Sequence, residues 1–457
     1  MTDDIEKAAA ARHTKRLTAS VPRYTSYPTA PHFHQGVGES DVRGWLEKLP
    51  GDDSVSVYIH IPFCDRLCWF CGCHTKQINR YDPIPTYLKA VEFELALVRE
   101  AIGFAPRLRQ LHLGGGSPSM LRRTDLKRLR ETMEKSFRLE PDAAVSIEID
   151  PSDLTGEMYS GFEAFGITRA SIGVQDFDPR VQEAINRPQT FEQTAASVDA
   201  LRRIGVKSLN IDALYGLPYQ SVDTVAKSIE QVASLSPDRI ALFGYAHVPW
   251  MKKHQNMIPD NALPGPDDRL AQARVAAEIL VSRGYVQIGI DHFARPLDTL
   301  AVAAAAGRLR RNFQGYTDDP CPTLLGIGAS SISRLPQGYV QNETATGNYM
   351  RCVSEGKLPA VRGIELTPDD EMHADVIEQL MCQFGFSLSW LRMRHGRRAQ
   401  AIVQRISEVQ SADEDGLTEF DGERFMIRPS ARHSTRIVAS WFDARLHSNN
   451  SRYSVAV

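Results

Sequence analysis

Between residues 54 and 250 the apolar positions switch repeatedly between two periods. Short runs rich in β-branched and aliphatic residues read as strands: SVSVYIHI (54–61), RQLHLGG (109–115), AVSIEID (144–150), TRASIGV (168–174), VKSLNID (206–212) and RIALFGY (239–245). Stretches with the helical period separate them. In the one at about 84–103, Leu88, Val91, Leu95, Val98 and Ile102 fall on one face. Strand–helix units repeated at this spacing predict a parallel sheet with its helices outside. Six units are too few to close an eight-stranded barrel, so the predicted fold is α/β, a partial, open (β/α)6 TIM-like barrel.

The pattern changes on either side of this block. Residues 1–20 predict a polar, partly helical lead-in, and VPRYTSYPTAPHF (21–33) is dense in aromatics and prolines without a period. That composition predicts an arm laid across the active site. After 250 come a polar loop, a helix near 266–283, a further strand over 285–296 ending in polar groups, and the segments RRNFQGYT (310–317) and LLGIGASSIS (324–333). From about 366 helices dominate (366–383, 387–394, 398–410), followed by a strand pair around Asp421-Gly422. The expected organisation is an N-terminal arm (1–53), a catalytic domain with a barrel extension (54–365) and a small, mainly helical C-terminal domain of winged-helix-like order (366–457).

Composition narrows the function classes. The chain has 457 residues, 42% of them apolar and 24% charged, with a formal net charge of −3. These values predict an ordinary globular protein and give no electrostatic case for nucleic acid or a membrane surface. No apolar run approaches the ~18 residues of a membrane span, and the N-terminus has no apolar core of a secretion signal, so a cytoplasmic protein is expected. Of the seven cysteines, four lie inside ten residues (Cys64, Cys68, Cys71 and Cys73), while Cys321, Cys352 and Cys382 are scattered. That distribution reads as a cofactor cluster in a reducing compartment, not a disulfide framework.

Cys64, Cys68 and Cys71 form a C-x3-C-x2-C run directly after the first strand. Three thiolates on one loop can converge on a soft metal centre. A structural zinc ion wants four protein ligands, and Cys73 or His74 could supply the fourth. A cluster of four irons held by three cysteines instead leaves one iron open to a small molecule. Trp69 and Phe70 lie between the second and third cysteines, placed to cover a cluster or an adenine ring.

Active sites of such barrels lie where the strands end, and the chemically unusual residues fall there. Gly114-Gly115-Gly116 follow strand two in GGGSPS (114–119), which lacks the ending of a phosphate-binding P-loop. Glu148 and Asp150 end strand three on one face and need a partner in a barrel interior: a ligand ammonium, ribose hydroxyls or a basic side chain. Gln175 and Asp176 follow strand four, Asp212 closes strand five, and Tyr245-Ala246-His247 end strand six. His292, Arg295, Arg310, Arg311 and Tyr316 form a basic neighbourhood suited to a polycarboxylate, since arginine grips carboxylates through two parallel hydrogen bonds.

Together these motifs resemble the oxygen-independent coproporphyrinogen III dehydrogenases (oxidases) of heme synthesis, members of the radical S-adenosylmethionine (SAM) superfamily. The cysteine loop HIPFCDRLCWFCGC and GGGSPS mark the superfamily. RYTSYPTA, IEIDP, GVQDFDPRVQEAINR, NIDALYGLP, YAHVP, IGIDHFARP, RNFQGYT and LLGIGASSIS carry the narrower resemblance, over nearly the whole chain.

The resemblance implies a [4Fe-4S] cluster on Cys64, Cys68 and Cys71, with Cys73 nearby but not a ligand. It implies two SAM sites. One lies on the cluster near Tyr58, Gly115, Glu148 and Ile332; the second lies near Phe70, Gly116, Ser117, Gln175, Arg187, Asp212 and Ala246. Gln175 and Arg187 are ordinary residues by themselves, and only the resemblance singles them out. The implied reaction turns two propionates of coproporphyrinogen III into vinyl groups, giving protoporphyrinogen IX. It needs a low-potential, flavodoxin- or ferredoxin-like electron donor, and a monomer is expected. A related group of heme-delivery proteins shares the cysteine loop but typically lacks the fourth cysteine and the arm; both are present here. Two stretches depart from the family pattern: His74 stands where asparagine is more usual, and 427–436 is looser than the usual end.

Overall fold

The computed structural model describes residues 18–51, 53–152, 154–446 and Tyr453. The expected lead-in helix falls almost entirely outside these residues. One twelve-stranded sheet organises the molecule. Its strands are β1 (Ser54–Ile61), β2 (Arg107–Gly115), β3 (Arg138–Ile149), β4 (Arg169–Gln175), β5 (Ser208–Tyr215), β6 (Arg239–Gly244), β7 (Val286–Ile288), β8 (His292–Ala294), β9 (Thr323–Ile327), β10 (Ile332–Leu335), β11 (Gly338–Asn342) and β12 (Ala360–Glu365). Across the sheet the order is β12-β11-β10-β9-β1-β2-β3-β4-β5-β6-β8-β7.

β1 to β6 lie side by side and parallel, in chain order, which is the predicted series of six units. β9 returns to pair parallel with β1 on the other side. Among the described residues the two sheet edges, β12 and β7, do not pair, so the barrel is open.

The helices cover the outer face. α1 (Glu39–Leu46) precedes β1; α2 (Pro83–Ile102), α3 (Arg123–Ser136) and α4 (Gly156–Phe165) follow β1, β2 and β3. α5 (Pro179–Ala184) and α6 (Phe191–Arg203) both lie between β4 and β5, and α7 (Val222–Ser234) follows β5. Local chemistry sets the ends: Thr190 and Ser221 make reciprocal caps at the starts of α6 and α7, and Gly103, at φ 82°, ends α2. α2 buries the predicted stripe of Leu88, Val91, Leu95, Val98 and Ile102 against the sheet. Each such side chain contributes roughly 1.5–3 kcal/mol through burial.

One expectation is corrected. Residues 285–296 do not form a single strand; β7 and β8 are a tight antiparallel hairpin, and β8 runs antiparallel to β6. The turn contains Gly289 at φ 56°, where a Cβ would stand 2.1 Å from the Tyr316 ring. The alternation of side chains is legible in the chain, but not this reversal, whose glycine is matched to a ring distant in sequence.

The C-terminal helices Pro368–Gln383, Leu388–His395 and Ala399–Ala412 pack with a three-stranded sheet in which Arg424–Ile427 lies between Gly385–Ser387 and Thr418–Phe420. Their apolar cluster is separate from that of the barrel and takes in Tyr24 and Tyr27 from the N-terminal segment. Tyr24 donates to Asp443 (3.0 Å), and Arg436 donates to the carbonyls of Pro22 (3.1 Å) and Val21 (2.7 Å). The 21–27 stretch is therefore gripped by C-terminal side chains. Among the described residues no helix is long and apolar enough to cross a membrane.

Candidate active site

β1 runs straight into the cysteine loop. Phe63–Cys64 pairs with Lys76–Gln77, closing the loop at its base. The loop is then fastened on two sides. Toward α5, Trp69 N–H donates to Ile185 O (2.9 Å) and the Asn186 amide to Leu67 O (2.9 Å). Beyond β6, Gln255 donates to Phe70 O (3.0 Å), His254 to Cys71 O (2.7 Å) and Lys252 to Cys73 O (2.8 Å). His74, the unusual residue of the loop, bonds Thr344 O (2.7 Å) through its ring and ties this stretch to the segment after β11.

Cys68 is buried, Cys64 and Cys71 are half-buried, and Cys73 is exposed. Burial pushes the Cys64 thiol up to about 12. It also raises Cys68, against the pull of the Arg187 guanidinium, which donates to Cys68 Sγ at 3.4 Å. Hydrogen bonding from the Cys73 thiol brings Cys71 down to about 6, and the Cys73 N–H points at Cys71 Sγ (3.4 Å).

This donor set fits an iron–sulfur cluster: three cysteines on one loop, with a guanidinium and an amide N–H aimed at sulfur, the kind of contact that tunes cluster potential. Among the described residues no three His, Cys, Asp or Glu side chains converge on the point a single ion would occupy.

The glycine triplet is demanded first by the protein itself. A Cβ on Gly114 would lie 2.8 Å from Glu148 Oε1, one on Gly115 2.5 Å from the His60 ring, and one on Gly116 2.5 Å from Phe63 O. Gly115 sits at φ 114° and its N–H donates to Glu148 Oε2 (2.9 Å); His112 holds Oε1 (3.1 Å). Although burial opposes it, these donors hold the Glu148 carboxyl below its usual range. Tyr58 stacks on His112 (5.7 Å between rings) and shares a hydrogen bond with His60 (3.0 Å). Ile332 opens β10, its carbonyl 2.6 Å from where Gly326 would carry a Cβ, and Gly326 pairs with Tyr58. Tyr58, Gly115, Glu148 and Ile332 thus border one corner of the barrel mouth.

The remaining predicted residues line the loop and the β4–β6 side. Arg187 meets Asp150 (3.0 Å), Cys68 and Gly173 O (2.7 Å), while its Nε has no hydrogen-bond partner. Asp150 therefore has an arginine as its partner, whereas Glu148 has none. Gln175 ends β4 at φ 71°, with its amide beside Gly173. Asp212, held by Ser171 (3.0 Å) and Asn210 (2.7 Å), is pushed up to about 6 by burial and by Glu148. Ser117 N–H donates to Phe63 O (2.7 Å) and its side chain bonds Cys64. Ala246 O accepts from Gln255 (3.2 Å). Phe70 packs with Trp69 against Val181, Ile185, Leu217, Tyr245 and Ile258.

A cavity of about 210 Å³ opens beside Ala246, and it was not legible in the chain order. Arg23, Arg269, Arg311 and Arg436 converge on it, with Tyr215 and Asp291. Burial lowers the pKa of Arg23, Arg269 and Arg436, and Arg23 and Arg311 repel Arg436, bringing it to about 9. Arg311 is 9% exposed, lies over Tyr316 (4.4 Å) and is 3.9 Å from Asp291, yet its Nε and Nη1 have no hydrogen-bond partner. His292 is fixed by Asp291 (2.7 Å) and borders a second cavity of about 250 Å³ in the barrel interior, with His112, Glu148 and Asp212.

Of the predicted basic neighbourhood, Arg311, His292 and Tyr316 border these two cavities, and Arg295 and Arg310 do not. Arg295 stacks on Tyr285 (4.0 Å) and donates to Arg283 O (2.9 Å), away from either cavity, and Arg310 turns to Glu378 (3.6 Å). Adjacent residues on the strand Arg310–Asn312 face opposite sides, so only Arg311 reaches the arginine-lined cavity.

Comparisons with known proteins show the family and the fold. Residues 58–232 match the family model of the radical SAM superfamily, and 366–432 that of the HemN C-terminal domain. The chain is similar to the oxygen-independent coproporphyrinogen III oxidase of Bradyrhizobium diazoefficiens, 45% identical over 96% of this chain and 97% of that one. It is also similar to the protein of the same name from Escherichia coli, 38% identical over 94% of each. Among solved structures, coproporphyrinogen III oxidase (HemN) from Escherichia coli, a radical SAM enzyme, superposes with a TM-score of 0.88 at 36% identity, over 94% of this chain and all of that one. The chain belongs to the oxygen-independent coproporphyrinogen III oxidase family of radical SAM enzymes.

Proposed function

We propose that the protein oxidatively decarboxylates two propionate side chains of coproporphyrinogen III to vinyl groups, yielding protoporphyrinogen IX. The reading rests on one juxtaposition: the cysteine loop and the arginine-lined cavity open at the same end of the barrel, with Ala246 O and Phe70 O sharing Gln255 between them. When bound, the cluster and SAM supply the one-electron chemistry that takes a hydrogen atom from a propionate β-carbon, after which CO2 and one electron leave and a double bond remains.

The chain's own residues then hold and shield. Cys64, Cys68 and Cys71 carry the cluster. Tyr58, Gly115, Glu148 and Ile332 hold the SAM on it, and Glu148, which has no arginine or lysine partner, takes the ammonium. Phe70, Gly116, Ser117, Gln175, Arg187, Asp212 and Ala246 hold a second SAM. Arg311, with two buried nitrogens, Nε and Nη1, unsatisfied, grips a propionate as a charge-assisted pair, and Arg23 brings the N-terminal arm over the substrate. Electrons come from a flavodoxin- or ferredoxin-like donor at the exposed 72–74 stretch.

The test is anaerobic turnover of the reconstituted protein with SAM, a strong reductant and coproporphyrinogen III. Protoporphyrinogen, 5′-deoxyadenosine and methionine are expected together, and none of them from Cys64→Ser. An intact cluster that cleaves SAM and leaves the porphyrinogen untouched overturns the reading in favour of heme delivery.

A further inference from the structure

Helix α2 carries an acid where its neighbours on the same face are apolar. Glu94 lies among Val91, Leu95 and Val98 against the sheet and is 2% exposed. Burying a carboxylate is costly unless donors meet it, and here three do. Oε2 accepts from Gly328 N–H (2.7 Å) and the Tyr349 hydroxyl (2.6 Å), and Oε1 from the Asn342 amide (2.6 Å). None of these donors is a cation, and burial still pushes the acid up to about 7. An apolar side chain would fill the place without that cost, so what the acid holds is the informative part.

It holds the back of the 328–331 turn between β9 and β10. Gly328 sits at φ 101°, open to glycine, and Ser330 at φ 66°, a conformation that needs outside support in a non-glycine residue. Asn342 also donates to Gly328 O (3.1 Å) and Ser331 Oγ (3.1 Å). From the same helix, Tyr87 accepts from Ala329 N–H (2.8 Å) and donates to His60 O (2.8 Å). The turn leads directly into Ile332. His60 in turn bonds Tyr58 (3.0 Å) and His74 O (2.8 Å), and its ring is what forbids a Cβ on Gly115. One network behind the sheet therefore reaches three of the four residues assigned to the cluster-bound SAM.

We propose that Glu94 is a positioning residue for SAM, fixing the 328–332 turn from the outer face of the sheet with Tyr87 and Asn342. This rests on the SAM site of the proposed function. Glu94→Gln keeps the shape but, whichever way its amide turns, leaves at least one donor facing another donor.

The test uses cluster-reconstituted full-length protein. In the absence of SAM, Glu94→Gln is expected to speed amide hydrogen exchange over 328–332 about tenfold or more, with exchange in Arg169–Gln175 and the iron content unchanged. The SAM dissociation constant is expected to rise about tenfold, while turnover at saturating SAM stays within about twofold. Tyr87→Phe, which removes two bonds to the same network, carries the same expectation and decides the matter if the glutamine variant does not fold. An unchanged turn in the variants, a loosened turn with unaltered SAM affinity, or faster exchange throughout the sheet overturns the proposal. Wild-type protein that binds no SAM overturns the proposed function instead, and the two failures are told apart by the exchange data.

Discussion

The cysteine–glycine corner and the arginine cavity are built in opposite ways. Cys64, Cys68, Cys71 and Gly115 come from two adjacent strands and the loops that end them, so the residues that define this corner lie close together in the chain even though Asn186, Arg187, Lys252, His254 and Gln255 fasten the cysteine loop from outside. Arg23, Arg269, Arg311 and Arg436 come from the N-terminal segment, a helix outside the barrel, a largely buried hairpin and the C-terminal domain, and meet only because all of these pack over the strand ends. The first region carries the motifs of a superfamily; the second is the one proposed above to take the substrate. A local loop can be read and conserved as a unit, whereas a cavity walled by four distant elements follows whatever the elements enclose.

The comparison predicts that the two regions fail separately. Replacing Cys64, Cys68 or Cys71 by serine should remove the cluster, with iron content at background and turnover down at least about a thousandfold. Arg311→Ala should spare iron content and substrate-free SAM cleavage but raise KM for coproporphyrinogen about ten- to hundredfold, the scale of a charge-assisted bond. A loss of iron in Arg311→Ala would break the distinction.

A smaller effect tests the support behind the cysteine–glycine corner. Glu94 has a folded pKa raised from 4.5 to about 7 by burial. The folded state therefore binds more protons than the unfolded state across that window, so stability is highest below it and falls as pH rises through it. Denaturant unfolding of the SAM-free protein should show that slope, and Glu94→Gln should flatten it. The smallest effect is expected from Arg295→Ala, which should leave KM within about twofold because the side chain stacks on Tyr285 outside both cavities.

Much of the fold was legible for a physical reason. Strands β1 to β6 are short, apolar and separated by amphipathic helices, and such units have few ways to pack other than side by side. The residues at their ends were legible too, since a barrel strand delivers its last side chains to one mouth. Glu148 and Asp212 stand out in this way, whereas Gln175 is singled out only by the family resemblance. The partner of each was not: Asp150 meets Arg187, but Glu148 meets His112 and a backbone N–H, and nothing in the alternation of IEID distinguishes the two. The hairpin at Gly289 departs from the single strand expected: the turn places this glycine at φ 56° with no room for a Cβ beside the Tyr316 ring, a neighbour distant in the chain.

The amino-acid sequence by itself determined the six strand–helix units, the three cysteines on one loop and the family, because each depends on residues close together in the chain. Only the tertiary structure decided which arginines face the cavity, separating Arg311 from Arg310 and Arg295 and joining it to Arg23, Arg269 and Arg436. It alone turned Glu94, one acid on an apolar helix face, into the support of a distant turn. Hydrophobic periodicity records which side of an element is buried; it carries no record of what the other elements bring to meet that side.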